Sequence, residues 1–199
     1  MKKVVIDYID NKKTEIKVGE NTHLTYILIG LKSGEKDIVI RIEGKEAKAD
    51  LIGIFIGKDS SDMKVRTLQH HLSPYSVSDL VFKSVLYDQS KFSYQGLIKI
   101  ENKAQDTNAY QKNDNLILSP SAHVDTKPEL EILADQVKCS HGATVGQIDK
   151  EQIFYLTSRG LPQKEAERMI IEGFLKSVLE RIDDKDAYDK VQKIIEQNL

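Results

Sequence analysis

Cys139 and His141 are the residues of this 199-residue chain whose types and spacing point most directly to chemistry. They stand two apart in Val137–Asp149, the densest polar run of the sequence. On a β-strand, side chains alternate between faces, so both would project from the same one. A thiolate beside an imidazole is a pair of soft and borderline ligands suited to iron, zinc or an iron–sulfur cluster. The neighbouring Lys138 would favour the thiolate if its ammonium folded close to the sulfur. Two ligands do not complete a tetrahedral site, and a free cysteine at the end of a strand is commonly no more than a small buried hydrophobe. Gly142 and Gly146 are expected to let the backbone turn tightly before the first helix.

No second constellation competes with this pair. His23, His70, His71 and His123 lack metal-motif spacing, and adjacent His70 and His71 would face opposite sides of a strand. The chain has no phosphate-binding glycine loop of the P-loop kind and no Gly-x-Ser-x-Gly elbow. Paired acids on one face are not evident, and the composition contains no Trp for stacking on sugars. The chain is therefore read as a non-enzyme.

Composition narrows the class. Hydrophobic residues make up 40% and charged residues 30%, an ordinary globular balance. Lys plus Arg is 29 against 31 Asp plus Glu. The charge is spread evenly: 9 basic and 11 acidic residues follow from Asp149, and 20 of each precede it. Nucleic acid is a poor partner for such a balance, because phosphate binding needs a positive excess. One cysteine cannot form an intrachain disulfide. The start of the chain lacks the apolar core of a secretion signal, no run is long enough to span a bilayer, and the expected compartment is the cytoplasm.

The elements that must position Cys139 and His141 fall into two regimes. Up to about Gly146 the pattern is short, period-two and rich in Val, Ile, Thr and Tyr. It predicts strands over Val4–Tyr8, Thr25–Ile29, Asp37–Ile42, Ala49–Ile56, Lys64–Gln69, Ser78–Leu86, Phe92–Ile100, Asn115–Leu118, His123–Thr126, Glu129–Ala134 and Gln136–Ser140. Many short strands at regular spacing fit a sandwich, a barrel or a solenoid. The echo between Ala49–Phe55 and Tyr94–Ile100, each built around a glycine, leans towards a stacked coil. From Asp149 the period becomes helical: Asp149 with Gln152 has capping-box spacing, Gly160 ends the first helix and Pro162 opens the second. Ala166, Met169, Ile170, Gly173, Phe174, Val178, Leu179 and Ile182 form the expected apolar stripe of that second helix. A third helix follows Asp183 and Asp184, with Tyr188, Val191, Ile194 and Ile195 on one face. The division is a β body over 1–146 and a helical domain over 149–199.

The run Asp125–Asp149, continuing through Glu151–Leu156, Ser158–Leu161, Ala166, Met169–Ile171 and Gly173–Phe174, resembles the SufB/SufD family of iron–sulfur cluster assembly scaffolds, with SufD-type features. Upstream, Gly96–Ile98, Ala104–Thr107, Ala109–Gln111 and Asn115–Ser119 also look like the family, so the likeness spans about 69–182. The resemblance implies a right-handed parallel β-helix followed by a small C-terminal helical domain. It implies pairing through the β-helices, as a homodimer or with a SufB-type chain, and docking of the SufC ATPase on the helices. Cys139 and His141 match the positions at which a transient iron–sulfur cluster is thought to form at that pairing interface. Two departures stand out. The stretch Ser119–His123 lacks the upstream cysteine of SufB-type chains, and Gly142 replaces an acidic residue. The chain is also short for the family, as a streamlined member would be.

The expected function is thus a SufD-like scaffold subunit, with Ser158, Arg159 and Glu165 as candidates for the ATPase contact and Phe154, Ile170 and Phe174 as core residues of the helices. The alternative is a non-metal dimerisation module that only recruits the ATPase for a separate SufB-type scaffold.

Overall fold

The computed structural model describes residues 1–199. Eleven strands precede three helices: β1 (Lys2–Tyr8), β2 (Lys13–Val18), β3 (His23–Gly30), β4 (Gly34–Ile42), β5 (Lys48–Gly57), β6 (Asp62–His71), β7 (Val77–Leu86), β8 (Lys91–Ile100), β9 (Thr107–Ile117), β10 (His123–Ile132), β11 (Val137–Gly146), α1 (Lys150–Ser158), α2 (Gln163–Leu179) and α3 (Lys185–Asn198). Odd-numbered strands form one six-stranded parallel sheet in the order β1-β3-β5-β7-β9-β11, and even-numbered strands form a facing five-stranded sheet in the order β2-β4-β6-β8-β10. The chain passes from one sheet to the other at every turn, which is the parallel β-helix that the family resemblance implies.

The two sheets carry different sequence patterns because their outer faces meet different neighbours. Outside the even sheet is solvent, so β4 and β6 alternate buried inward residues, among them Ile38, Ile40, Ile42, Met63 and Val65, with more exposed outward ones such as Glu35, Lys64 and Arg66. The odd sheet is covered by the helices, and β3 and β5 read as nearly continuous apolar runs. The interior between the sheets is a cluster of 19 buried residues. At its centre Phe55, Phe82, Phe92 and Tyr94 stack, with ring centroids 4.5 to 5.3 Å apart. Gly53 leaves room for that stack, since a Cβ there would lie 2.4 Å from the Phe82 ring.

Non-glycine residues in the left-handed backbone region mark the turns: Asn21, Glu46, Tyr75 and Asp106 on one side, Asn11, Asp59 and Asp88 on the other. Stacked turns hold one another through backbone bonds, Glu46 N–H to Pro74 O, Tyr75 N–H to Gln105 O and Asp106 N–H to Gln136 O among them.

Both α2 and α3 lie on the outer face of the odd sheet. Ile171, Leu175, Val178, Leu179, Ile182, Ala187, Val191 and Ile195 share one core with Ile27, Ile29, Ile52, Ile54, Ile56, Val81, Val85 and Leu116. Each fully buried aliphatic side chain of this kind stabilises by about 1.5–3 kcal/mol. The buried stripe of α2 is rotated from the expected one: Ile171 and Leu175 are buried, whereas Met169 and Gly173 are exposed. The sheet fixes which side of the helix is covered, and periodicity within the helix alone cannot. Pro162 is the N-cap of α2 rather than its first helical residue. Asp149 and Asp184 cap α1 and α3 through side-chain bonds to Glu151 N–H and Ala187 N–H. No helix is long and apolar enough to cross a membrane.

Three further expectations need correction. The echo between Ala49–Phe55 and Tyr94–Ile100 does not mark equivalent rungs, because β5 and β8 belong to opposite sheets. His123–Thr126 and Glu129–Ile132 are parts of one strand, β10, which continues through Pro128 and ends two residues short of the expected Ala134. Gly142 and Gly146 lie within β11 with no left-handed backbone, so neither makes the expected turn.

Candidate functional site

β11 bonds only to β9, and β10 only to β8, so the final coil leaves one edge of each sheet open. Unpaired N–H and C=O groups along a strand edge are a template for another chain. Cys139 stands directly over Ala109 and His141 over Gln111 in the β9–β11 register. Both of those β9 residues are buried, so Cys139 and His141 share the face of β11 turned to the solenoid axis, as their spacing predicts.

No later coil covers them. His141 is exposed, while Cys139 is half-buried and packs, with Val137, on a small cluster of Ile98, Ile100, Ala104, Ala109 and Ala134. Apolar side chains of the same coil are left open beside them: Leu130 and Ile132 of β10 are 36% and 40% exposed, and Val145 of β11 is 50% exposed. In earlier coils the corresponding columns, Ile98 over Leu130 and Ile100 over Ile132, are fully buried. This end of the solenoid is thus built of core-type residues without a cover. The sequence reading missed them; the inward alternation of Val124, Thr126, Pro128, Leu130 and Ile132 was the available signal.

Burial pushes the Cys139 thiol above its ordinary pKa, and no charge counteracts it. The expected help from Lys138 is absent because successive strand residues point to opposite faces. Burial thus favours the neutral thiol at this position. No group of three or more His, Cys, Asp or Glu residues in the chain could hold a metal ion. Cys139 and His141 alone do not make up a complete metal site within one chain.

Beneath the open coil the interior changes character. Gln111, Asn113 and Asn115 of β9 all face inward and are buried. Gln111 donates to Gly96 O at 3.1 Å and accepts from Gln69 at 3.2 Å; Asn113 Oδ1 accepts from Asn115 at 2.8 Å and from Thr126 at 2.9 Å. Gly96 is required here, since a Cβ would lie 2.2 Å from the Tyr94 hydroxyl and 2.6 Å from the Gln111 amide.

The helical candidates lie at some remove. Ser158 is exposed and donates to Tyr155 O at 2.9 Å in the last turn of α1; Arg159 caps that helix with its guanidinium 5.0 Å from the Tyr155 ring centroid. Glu165 is exposed in the first turn of α2, where an acid also complements the helix dipole. Phe154, expected in the core, is 73% exposed, because α1 buries none of its residues. Ile170 and Phe174 are half-buried. Phe154, Tyr155 and Met169 are exposed apolar residues of α1 and α2, and Tyr155 also lines a shallow depression of about 410 Å³ with Leu156, Ile170, Asp149, Glu151 and Gln152.

The remaining histidines stand elsewhere. His71 is fully buried between the hydroxyls of Ser76 and Ser78, each at 2.8 Å, and burial lowers its pKa to about 3. His70 faces the opposite side and pairs with Glu101 at 2.8 Å. His23 pairs with Asp50. His123 is exposed on β10.

Comparison with known proteins gives a consistent picture. The family described as SUF system FeS cluster assembly, SufBD core domain, matches residues 6–174. The chain is 43% identical over 134 residues to the iron-sulfur cluster assembly protein SufD of Escherichia coli, covering 67% of this chain and 32% of that protein. It is 30% identical over 205 residues to an iron-sulfur cluster assembly SufBD family protein of Synechocystis, covering 88% of this chain and 45% of the relative. A Mycobacterium tuberculosis protein of the same description is 27% identical over 212 residues, covering 98% and 53%. The chain therefore spans about a third to a half of the length of these curated relatives.

Proposed function

This chain belongs to the SufBD core family of the SUF iron–sulfur cluster assembly system, and from that premise we propose that it is a SufD-like scaffold subunit that pairs through the open end of its solenoid and docks a SufC-type ATPase on its helices. The observation that carries the reading is the position of Cys139 and His141: on the axis-facing side of the last coil, at unpaired strand edges, among core-type residues with no cover.

A second chain meeting this end would extend both sheets and cover Leu130, Ile132 and Val145. In a homodimer, two Cys139 thiolates and two His141 imidazoles would make a four-ligand set of mixed sulfur and nitrogen type for the cluster as cargo. A SufB-type partner would contribute its own ligands to the same seam. The ATPase would dock on the helices, whose exposed residues include Phe154, Tyr155 and Met169 as well as Ser158, Arg159 and Glu165. Force from the ATPase would reach the body by two routes: through α1, which buries none of its side chains and joins β11 by Gln147, Ile148 and Asp149, and through α2, which packs on the odd sheet.

Anaerobic reconstitution with ferrous iron and sulfide tests the site. The wild-type chain should gain visible charge-transfer absorption, and Cys139→Ala should abolish it while leaving the melting temperature nearly unchanged. Equal iron and sulfide on Cys139→Ala would refute a cluster role for this residue.

A second reading, the non-metal module, draws on the half-buried, high-pKa thiol and the absence of a third ligand. It predicts capture of a SufC-type ATPase that survives replacement of both Cys139 and His141, with no cluster formed on either form.

A further inference from the structure

Beyond its backbone ladder with β9, β11 is held by only two side-chain hydrogen bonds, and both are at Thr144. Its hydroxyl donates to Asp114 Oδ1 at 2.7 Å, and its carbonyl accepts from Asn115 Nδ2 at 3.0 Å. Asp114 is buried and also accepts from Lys112 at 3.0 Å. Its register partner on β7 is Lys83, adjacent on the outer face of the same sheet and attracted to it.

Lys83 has almost no solvent exposure and is committed to α2. Its ammonium donates to the Phe174 carbonyl at 2.8 Å and to Ser177 Oγ at 2.6 Å, and lies 4.1 Å from the Phe174 ring centroid. Lys83, bonded to α2, and Asp114, bonded to Thr144, thus stand side by side on the outer face of the odd sheet, and Thr144 lies three residues beyond His141. Chain connectivity brings a second input to the same place. Two residues after Thr144 the strand ends, and after three more the chain enters α1, which buries none of its side chains. Force on α1 is thus delivered to the end of β11 that Thr144 secures.

We infer that Thr144 and Asp114 form a latch on the last strand, tied to α2 by Lys83, so that displacement of the helices frees the strand that presents Cys139 and His141. Lifting α2 withdraws two acceptors and a ring from Lys83 and admits water to Asp114. Water then competes for the Thr144 hydroxyl bond, whose strength depends on the carboxylate being shielded. The inference rests on the proposal that a partner moves the helices, but the latch itself can be tested without that partner.

The test is hydrogen exchange of the full chain, read peptide by peptide by mass spectrometry. Thr144→Val keeps the shape and β-branching but removes the hydroxyl. It should speed exchange of the protected β11 amides roughly tenfold, with β3 and β5 within about twofold of wild type. Lys83→Met should speed exchange in both α2 and β11. Ser177→Ala removes one tie without opening a core cavity, should do the same by roughly threefold, and decides the matter if Lys83→Met loosens the whole fold. Unchanged β11 exchange in Thr144→Val overturns the latch. An effect of Ser177→Ala on α2 alone overturns its coupling to the helices. Should the latch behave as described while the chain captures no SufC-type ATPase, the docking proposal falls and the latch stands.

Discussion

Replacing Ile132 by Asp is the sharpest probe of the proposed pairing end. Leu130, Ile132 and Val145 are 36%, 40% and 50% exposed in the single chain. Full burial of such side chains stabilises by about 2.5 kcal/mol, so covering the remaining surface yields about 1 kcal/mol each. Across a two-fold seam these three residues count twice, for about 6 kcal/mol. Ile132→Asp removes about 2 kcal/mol of that and buries two carboxylates, which costs about 1–3 kcal/mol apiece when they lack partners. The expected sum of about 4 kcal/mol or more weakens association roughly a thousandfold. Sedimentation velocity over a concentration series measures it, and a thermal melt checks the fold, which should hold because Ile132 is only partly buried within one chain. An unchanged association constant for Ile132→Asp would refute the reasoning outright.

Other outcomes follow from the body. Gly53→Ala drives a Cβ into the Phe82 ring, which Phe55 and Tyr94 hold in place; overpacking of this kind costs about 1–3 kcal/mol and should lower the melting temperature by roughly 4–8 °C. Glu46→Asn, at a left-handed backbone position, should raise it by about 2 °C, because Asn tolerates that conformation better. His71 has a pKa of about 3 when folded and an ordinary value near 6.5 when unfolded. Between these the unfolded chain binds the extra proton, so stability rises with pH, by at most about 1.4 kcal/mol per pH unit. Urea midpoints from pH 4 to 7 should show this slope, and His71→Gln should flatten it.

Much of this architecture was legible in the sequence because the covered odd sheet writes long apolar runs and because Asp149, Gly160 and Asp184 punctuate the helices clearly. Where reading failed, a physical cause can be named. β2 was overlooked because Lys13, Glu15 and Lys17 dominate a strand with only Ile16 and Val18 as strong apolar residues. Most of β9 was missed because its inward residues include Gln111, Asn113 and Asn115, amides where a core strand ordinarily carries aliphatics. Pro128 split β10 in the reading, yet the outermost strand of a sheet tolerates a residue without N–H. At the site, the shared face of Cys139 and His141 followed from spacing alone. The open apolar surroundings did not, because exposure at the end of a solenoid depends on which coil is last, and local pattern does not record that.

The amide layer on β9 has a consequence for how the molecule comes apart. It separates an interior packed around Phe55, Phe82, Phe92 and Tyr94 from a final turn whose inward residues contribute little to it. In a stack where each rung leans mainly on its neighbours, mild denaturant should dissolve that last rung first while the Phe55–Phe82 region persists. The residues proposed to meet the cluster thus lie on the part of the chain with the smallest stake in global stability, where substitutions can accumulate without unfolding the rest.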